Sequence, residues 1–124
     1  MLTKILVIED MPNIQKLVKT NLVASGYNVL VAGSGEEGLK IAQLENPELI
    51  VLDLELPDML GWDVYVALKA KRDLQHIPVI LMTATVLQEE EYEITGMKAA
   101  GYLIKPFEVN KLLHKIKQVL GELA

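Results

Sequence analysis

The sequence predicts an α/β fold: a doubly wound parallel sheet with helices on both faces. Three observations carry that reading. Five short apolar runs recur along the chain: Ile5-Leu6-Val7-Ile8, Val29-Leu30-Val31-Ala32, Leu49-Ile50-Val51-Leu52, Val79-Ile80-Leu81-Met82 and Tyr102-Leu103-Ile104. Most show no in/out alternation, which is the pattern of strands covered on both faces and hence of a parallel sheet. Amphipathic stretches separate the runs, and β-α alternation repeated five times implies a layered (βα)5 domain with right-handed crossovers.

Each element has its own warrant. The first run leads to a helix from Pro12 whose stripe is Ile14, Leu17, Val18 and Leu22, with Ile14, Leu17 and Leu22 expected in the core. The second run precedes Ser34-Gly35-Glu36-Glu37, a Ser-x-x-Glu capping box that opens a helix carrying Leu39 and Ala42. A third helix is expected from about Trp62 to Lys71. Thr85-Val86-Leu87-Gln88 repeats the capping-box spacing and opens a fourth. The fifth shows Val109, Leu112, Leu113, Ile116 and Leu120 at a 3.6-residue period. Short links at Asn46-Pro47, Pro57 to Gly61 and Gly101 separate the elements, with no linker or low-complexity tract, so residues 1–124 read as one domain.

Composition narrows the function. At 124 residues and 51% hydrophobic, the chain is long enough for a core and too apolar for disorder. With no cysteine it has no disulfide framework, thiol nucleophile or Cys-based zinc site. Twelve basic against 17 acidic side chains give a net charge of -5, which disfavours direct nucleic-acid binding. The N-terminus lacks a signal-peptide h-region, and apolar runs of four or five residues are far too short to span a membrane. The expectation is a soluble, cytoplasmic domain without membrane contact.

In open α/β sheets, ligands bind outside the carboxyl ends of the strands. Glu9 and Asp10 follow the first run, Gly33-Ser34 the second and Asp53 the third; Thr83, Ala84 and Thr85 follow the fourth, and Lys105 and Pro106 the fifth. Taken singly, Asp10 can cap a helix, Thr83 can bond locally and Lys105 can be a surface lysine. Together, acidic residues ending two buried strands repel one another unless a cation binds, and oxygen ligands suit a hard ion such as Mg²⁺. A Mg²⁺ site beside a lysine and a hydroxyl suits phosphoryl handling.

These segments resemble the response-regulator receiver domain. The resemblance runs from about Lys4 to Leu120 and rests on five motifs in order: Ile5-Leu6-Val7-Ile8-Glu9-Asp10, Val51-Leu52-Asp53-Leu54-Glu55-Leu56-Pro57, Gly61, Val79-Ile80-Leu81-Met82-Thr83-Ala84, and Gly101-Tyr102-Leu103-Ile104-Lys105-Pro106-Phe107. It implies the strand order 2-1-3-4-5. It also implies that Asp53 is the phosphoacceptor, attacking a phosphohistidine of a sensor histidine kinase or histidine phosphotransfer protein. Glu9, Asp10, Asp53 and the backbone carbonyl of Glu55 are the implied Mg²⁺ ligands. Thr83 and Lys105 are implied to contact phosphoryl oxygens, Thr83 and Tyr102 to act as the switch pair, and the Lys105-Pro106 bond to be cis. The domain then catalyses only its own phosphorylation and dephosphorylation, and signals through a face of the fourth helix, fifth strand and fifth helix. Leu87, Tyr92, Lys98, Lys111 and Lys115 are candidates on that face.

Departures from the family pattern are few. Glu9 replaces the commoner Asp, and Leu56 stands where Met is frequent. Glu55 and Thr85 occupy variable positions at the mouth of the site, and small Ala84 leaves a path to Asp53. Glu89-Glu90-Glu91 reads as a solvated helix start. His76 and His114 read as surface residues and Trp62 as packing. The ending Gln118 to Ala124 favours a stand-alone regulator. Three other classes compete. An interaction-only receiver independent of phosphorylation normally lacks the acidic pair, the Asp or the Lys. A haloacid-dehalogenase-type phosphatase wants Asp-x-Asp, and here the second residue is Glu55. A flavodoxin-like carrier needs a phosphate-cradling loop where Glu9-Asp10-Met11-Pro12 is acidic.

Overall fold

The computed structural model describes residues 2–84 and 99–122. In chain order these form β1 (Lys4–Ile8), α1 (Pro12–Ala24), β2 (Asn28–Ala32), α2 (Gly35–Glu45), β3 (Leu49–Asp53), α3 (Gly61–Ala70), β4 (Val79–Thr83), β5 (Gly101–Ile104) and α4 (Val109–Val119). The helix expected to open at Thr85, with Leu87, Glu89-Glu90-Glu91, Tyr92 and Lys98, lies outside the described residues; α4 is thus the fifth helix of the sequence reading.

All strand pairs are parallel, and the sheet order is β2-β1-β3-β4-β5. β3 and β4 are buried along their full length and β1 from its second residue on, whereas β2 and β5 at the edges each expose a residue. Because strand side chains alternate between faces, the uniformly apolar runs feed two cores at once. Ile5, Val7, Val51, Ile80 and Met82 pack with Val18 and Leu22 of α1 and Leu112 and Ile116 of α4. Leu6, Ile8, Leu52, Val79 and Leu81 pack with Ala42 of α2 and Val64, Tyr65 and Leu68 of α3. Each buried Val, Leu, Ile or Met side chain among them contributes about 1.5–3 kcal/mol.

Two local readings change. Leu17 is 49% exposed, not in the core. The buried line of α1 is Val18 and Leu22, four residues apart, and Leu17 lies about 100° around the helix from Val18. Asp10 does not cap α1, whose N-cap is Met11 without a side-chain bond. The Ser34 N-cap of α2 forms as expected, its Oγ accepting from Glu37 N–H at 3.1 Å. Among the described residues no helix is long and apolar enough to cross a membrane.

Candidate functional site

Parallel register brings the strand ends to one edge. Ile8 lies opposite Leu52, Asp53 opposite Met82, and Thr83 opposite Ile104. Glu9 and Lys105, the next residues after β1 and β5, therefore emerge beside Asp53 and Thr83. Backbone bonds extend the ladder past the strands, Glu9 N–H to Ala32 O at 2.9 Å and Lys105 N–H to Thr83 O at 2.8 Å.

The side chains converge. One carboxylate oxygen from each of Glu9, Asp10 and Asp53 lies within 4.8 Å of the others. Glu9 is fully buried and Asp53 is 1% exposed. Lys105 Nζ pairs with Glu9 Oε1 at 2.7 Å and Asp53 Oδ2 at 3.1 Å. Glu9 Oε2 accepts the Asp10 N–H at 2.9 Å, and Gln15 donates to the Glu9 carbonyl. Three carboxylates against one ammonium leave formally two negative charges in excess. Clustered hard oxygen donors with that excess fit a divalent cation such as Mg²⁺.

Burial raises the Asp53 carboxyl above its usual range, and the neighbouring Glu9 carboxylate adds to the rise, while the Glu55 amide opposes it. For Lys105 burial alone acts downward, but Glu9 and Asp53 outweigh it and hold the ammonium above its usual range. The Lys105-Pro106 bond is cis.

The loop after β3 shapes the mouth. Asp53 Oδ1 accepts from Glu55 N–H at 3.0 Å. The loop closes through a Glu55–Leu60 bridge and a bond from Gly61 N–H to Leu54 O at 3.0 Å. Only glycine fits at 61, because a Cβ there would lie 2.5 Å from both Asp53 O and Leu54 Cα. Glu55 is exposed, yet its side chain reaches across the mouth to β4. Its Oε1 accepts from Thr83 Oγ1 at 2.9 Å and from Ala84 N–H at 3.1 Å.

Glu9, Asp10, Asp53 and Lys105 thus share one cluster, and Thr83 joins it at the rim through Glu55. Tyr102 stands apart, half-buried on β5 against the α2/α3 core. His76 and His114 are exposed, and Trp62 packs beside the same core as Tyr102. Asp58 lies in the Pro57 to Gly61 link, and the sequence assigns it no role of its own. Its carboxylate accepts Gly35 N–H at 2.9 Å and Glu36 N–H at 3.0 Å, tying the β3–α3 loop to the start of α2. Those amide bonds hold the Asp58 carboxyl below its usual range. The available signal was the set of orphan amides that every helix start presents, but nothing local pairs them with a residue more than twenty positions away.

The chain has many relatives. It is 34% identical over 122 residues to the "Polar-differentiation response regulator DivK" of Brucella ovis, spanning 98% of this chain and 99% of that protein. It is 40% identical over 119 residues to the "Probable transcriptional regulator ycf27" of Porphyridium aerugineum, covering 94% of this chain but only 48% of that protein; the chain spans about half of that relative's length. Among solved structures it is similar to the receiver domain of sensor histidine kinase PA1611 of Pseudomonas aeruginosa PAO1, which has a magnesium ion coordinated in its active-site cleft. That similarity has a TM-score of 0.87 at 26% identity and covers 98% of this chain and 99% of the other. Residues 5–117 match the family described as the response regulator receiver domain. With the sheet order and the carboxylate–lysine edge already in place, this match settles the family: the chain belongs to the response regulator receiver domains.

Proposed function

We propose that this receiver is a phosphorylation-activated switch of two-component signalling, acting in the cytoplasm with Asp53 as phosphoacceptor. The observation that carries the reading is the pairing of buried Asp53 with Lys105 at 3.1 Å inside a cluster that includes Glu9 and Asp10. An Asp53 oxygen attacks the phosphorus of a phosphohistidine on a histidine kinase or phosphotransfer protein. The P–N bond breaks, a P–O bond forms, and the imidazole leaves and takes up a proton. Mg²⁺ held by Glu9, Asp10, Asp53 and the Glu55 carbonyl, when bound, neutralises charge on the transferring group.

The Glu55 amide and Lys105 fix the two Asp53 oxygens in orientation. After transfer, Lys105 passes its Asp53 contact to a phosphoryl oxygen, and the Thr83 hydroxyl takes another. Both contacts exist only in the phosphorylated state, which is the differential binding a switch requires. Tyr102, on the strand that Lys105 directly succeeds, follows Thr83 inward. The changed face of β5 and α4, with Lys111 and Lys115, then alters the binding of a downstream protein. The domain turns over no free metabolite; it catalyses only its own phosphorylation and dephosphorylation.

Intact mass after incubation with acetyl phosphate tests the reading. A Mg²⁺-dependent gain of one phosphoryl group, absent in Asp53→Ala, is expected. No gain, together with no response to beryllofluoride, would overturn it.

A further inference from the structure

We propose that the Glu55 side chain is an internal occupant of the phosphoryl-binding donors, so that phosphorylation must expel it. The inference rests on the phosphoacceptor reading and adds its regulation. One oxygen of Glu55 takes two donors at once, the Thr83 hydroxyl at 2.9 Å and the Ala84 amide at 3.1 Å. The same residue's backbone holds the nucleophile, its N–H lying 3.0 Å from Asp53 Oδ1. Glu55 therefore arcs from Asp53 to the end of β4 and places a carboxylate oxygen against the Thr83 hydroxyl, read above as a phosphoryl contact, and against the adjacent Ala84 N–H, a donor that suits the same kind of oxygen. Charge-assisted bonds of this kind are roughly twice as strong as neutral ones. An incoming phosphoryl oxygen must break both, and it also meets a like charge. Because Glu55 is exposed, the displaced carboxylate can move into water without a buried-charge penalty. Glu55 thus biases the unphosphorylated protein toward one position of Thr83 and sets how much phosphoryl-group binding is spent on moving it.

The test uses Mg²⁺ and beryllofluoride as the phosphoryl probe, followed by fluorine NMR, with amide NMR of the unloaded protein. Glu55→Ala should lower the beryllofluoride concentration for half-occupancy by roughly tenfold, and Glu55→Gln, which keeps an uncharged acceptor, by about half that on a logarithmic scale. The Ala84 amide should move upfield in Glu55→Ala before any probe is added. The Glu55→Ala gain should shrink in a Thr83→Ala background, where one of the two contested donors is gone. Unchanged half-occupancy in Glu55→Ala overturns the proposal. A gain of equal size with and without Thr83, with Ala84 unmoved, also overturns it, because plain charge repulsion then explains everything. If the wild type binds no beryllofluoride, the phosphoacceptor reading fails and takes this proposal with it.

Discussion

Replacing Lys105 by Met keeps the aliphatic stem and removes the only cation that the described residues place against Glu9 and Asp53. Its ammonium lies 2.7 Å from Glu9 and 3.1 Å from Asp53. Glu9 is fully buried and Asp53 almost so. Breaking a buried pair from one side costs about 3–5 kcal/mol, because the remaining charge is left uncompensated. The low end applies here, since the Lys105 side chain keeps 15% exposure. Unfolding entropy of about 2.1 cal/mol/K per residue, over 124 residues, makes about 0.26 kcal/mol/K. A loss of about 3 kcal/mol then lowers Tm by about 11 °C. The assay is thermal unfolding at pH 7.5 with chelator present.

Two further arms check the cause of that loss. Asp53 already has a folded pKa above its unfolded value. A carboxyl raised in this way binds more protons folded than unfolded, so stability falls as pH rises through that interval. Without Lys105 the interval widens, and lowering the pH toward 5 should recover part of the deficit. Mg²⁺ at about 100 times its Kd should restore about 2.7 kcal/mol. A Tm within about 2 °C of wild type in chelator would refute the reasoning, for it would mean that Lys105 compensates no buried charge.

Asp10→Ala should weaken Mg²⁺ affinity by about tenfold or more, read by calorimetry, with little change in Tm because Asp10 is only half-buried. Asp53→Asn removes a carboxyl whose charging is disfavoured by burial and by Glu9, so Tm at pH 7.5 in chelator should rise; a fall would contradict the raised pKa. Asp58→Ala should lower Tm at neutral pH. A carboxyl held low by backbone amides stabilises above its unfolded pKa and loses that effect as pH falls through its folded value, so the Tm difference should vanish in acid. Gly61→Ala drives a Cβ to 2.5 Å from backbone at Asp53 and Leu54; it should cost about 1–3 kcal/mol in denaturant unfolding and slow phosphorylation.

The five apolar runs and the helical stripes are local patterns, and local patterns were enough to specify the five strands, the four helices among the described residues, their order and the layered class. All five strands lie within a residue of the runs. The acids and the lysine were legible for the same reason: each ends a strand or follows one within two residues, and in a parallel sheet all strand ends of one sense share an edge. Leu17 was misplaced because a helical stripe read from sequence is broader than the face that α1 buries. Which partner each functional group takes was not legible. The pairing of Lys105 with Glu9 spans 96 positions, that of Glu55 with Thr83 spans 28, and that of Asp58 with Gly35 spans 23. Sequence alone determined that charged and hydroxyl groups would meet at one rim. Tertiary structure decided their pairing, because hydrogen bonds and ion pairs depend on ångström-scale distances between segments whose separation is set by packing on both faces of the sheet.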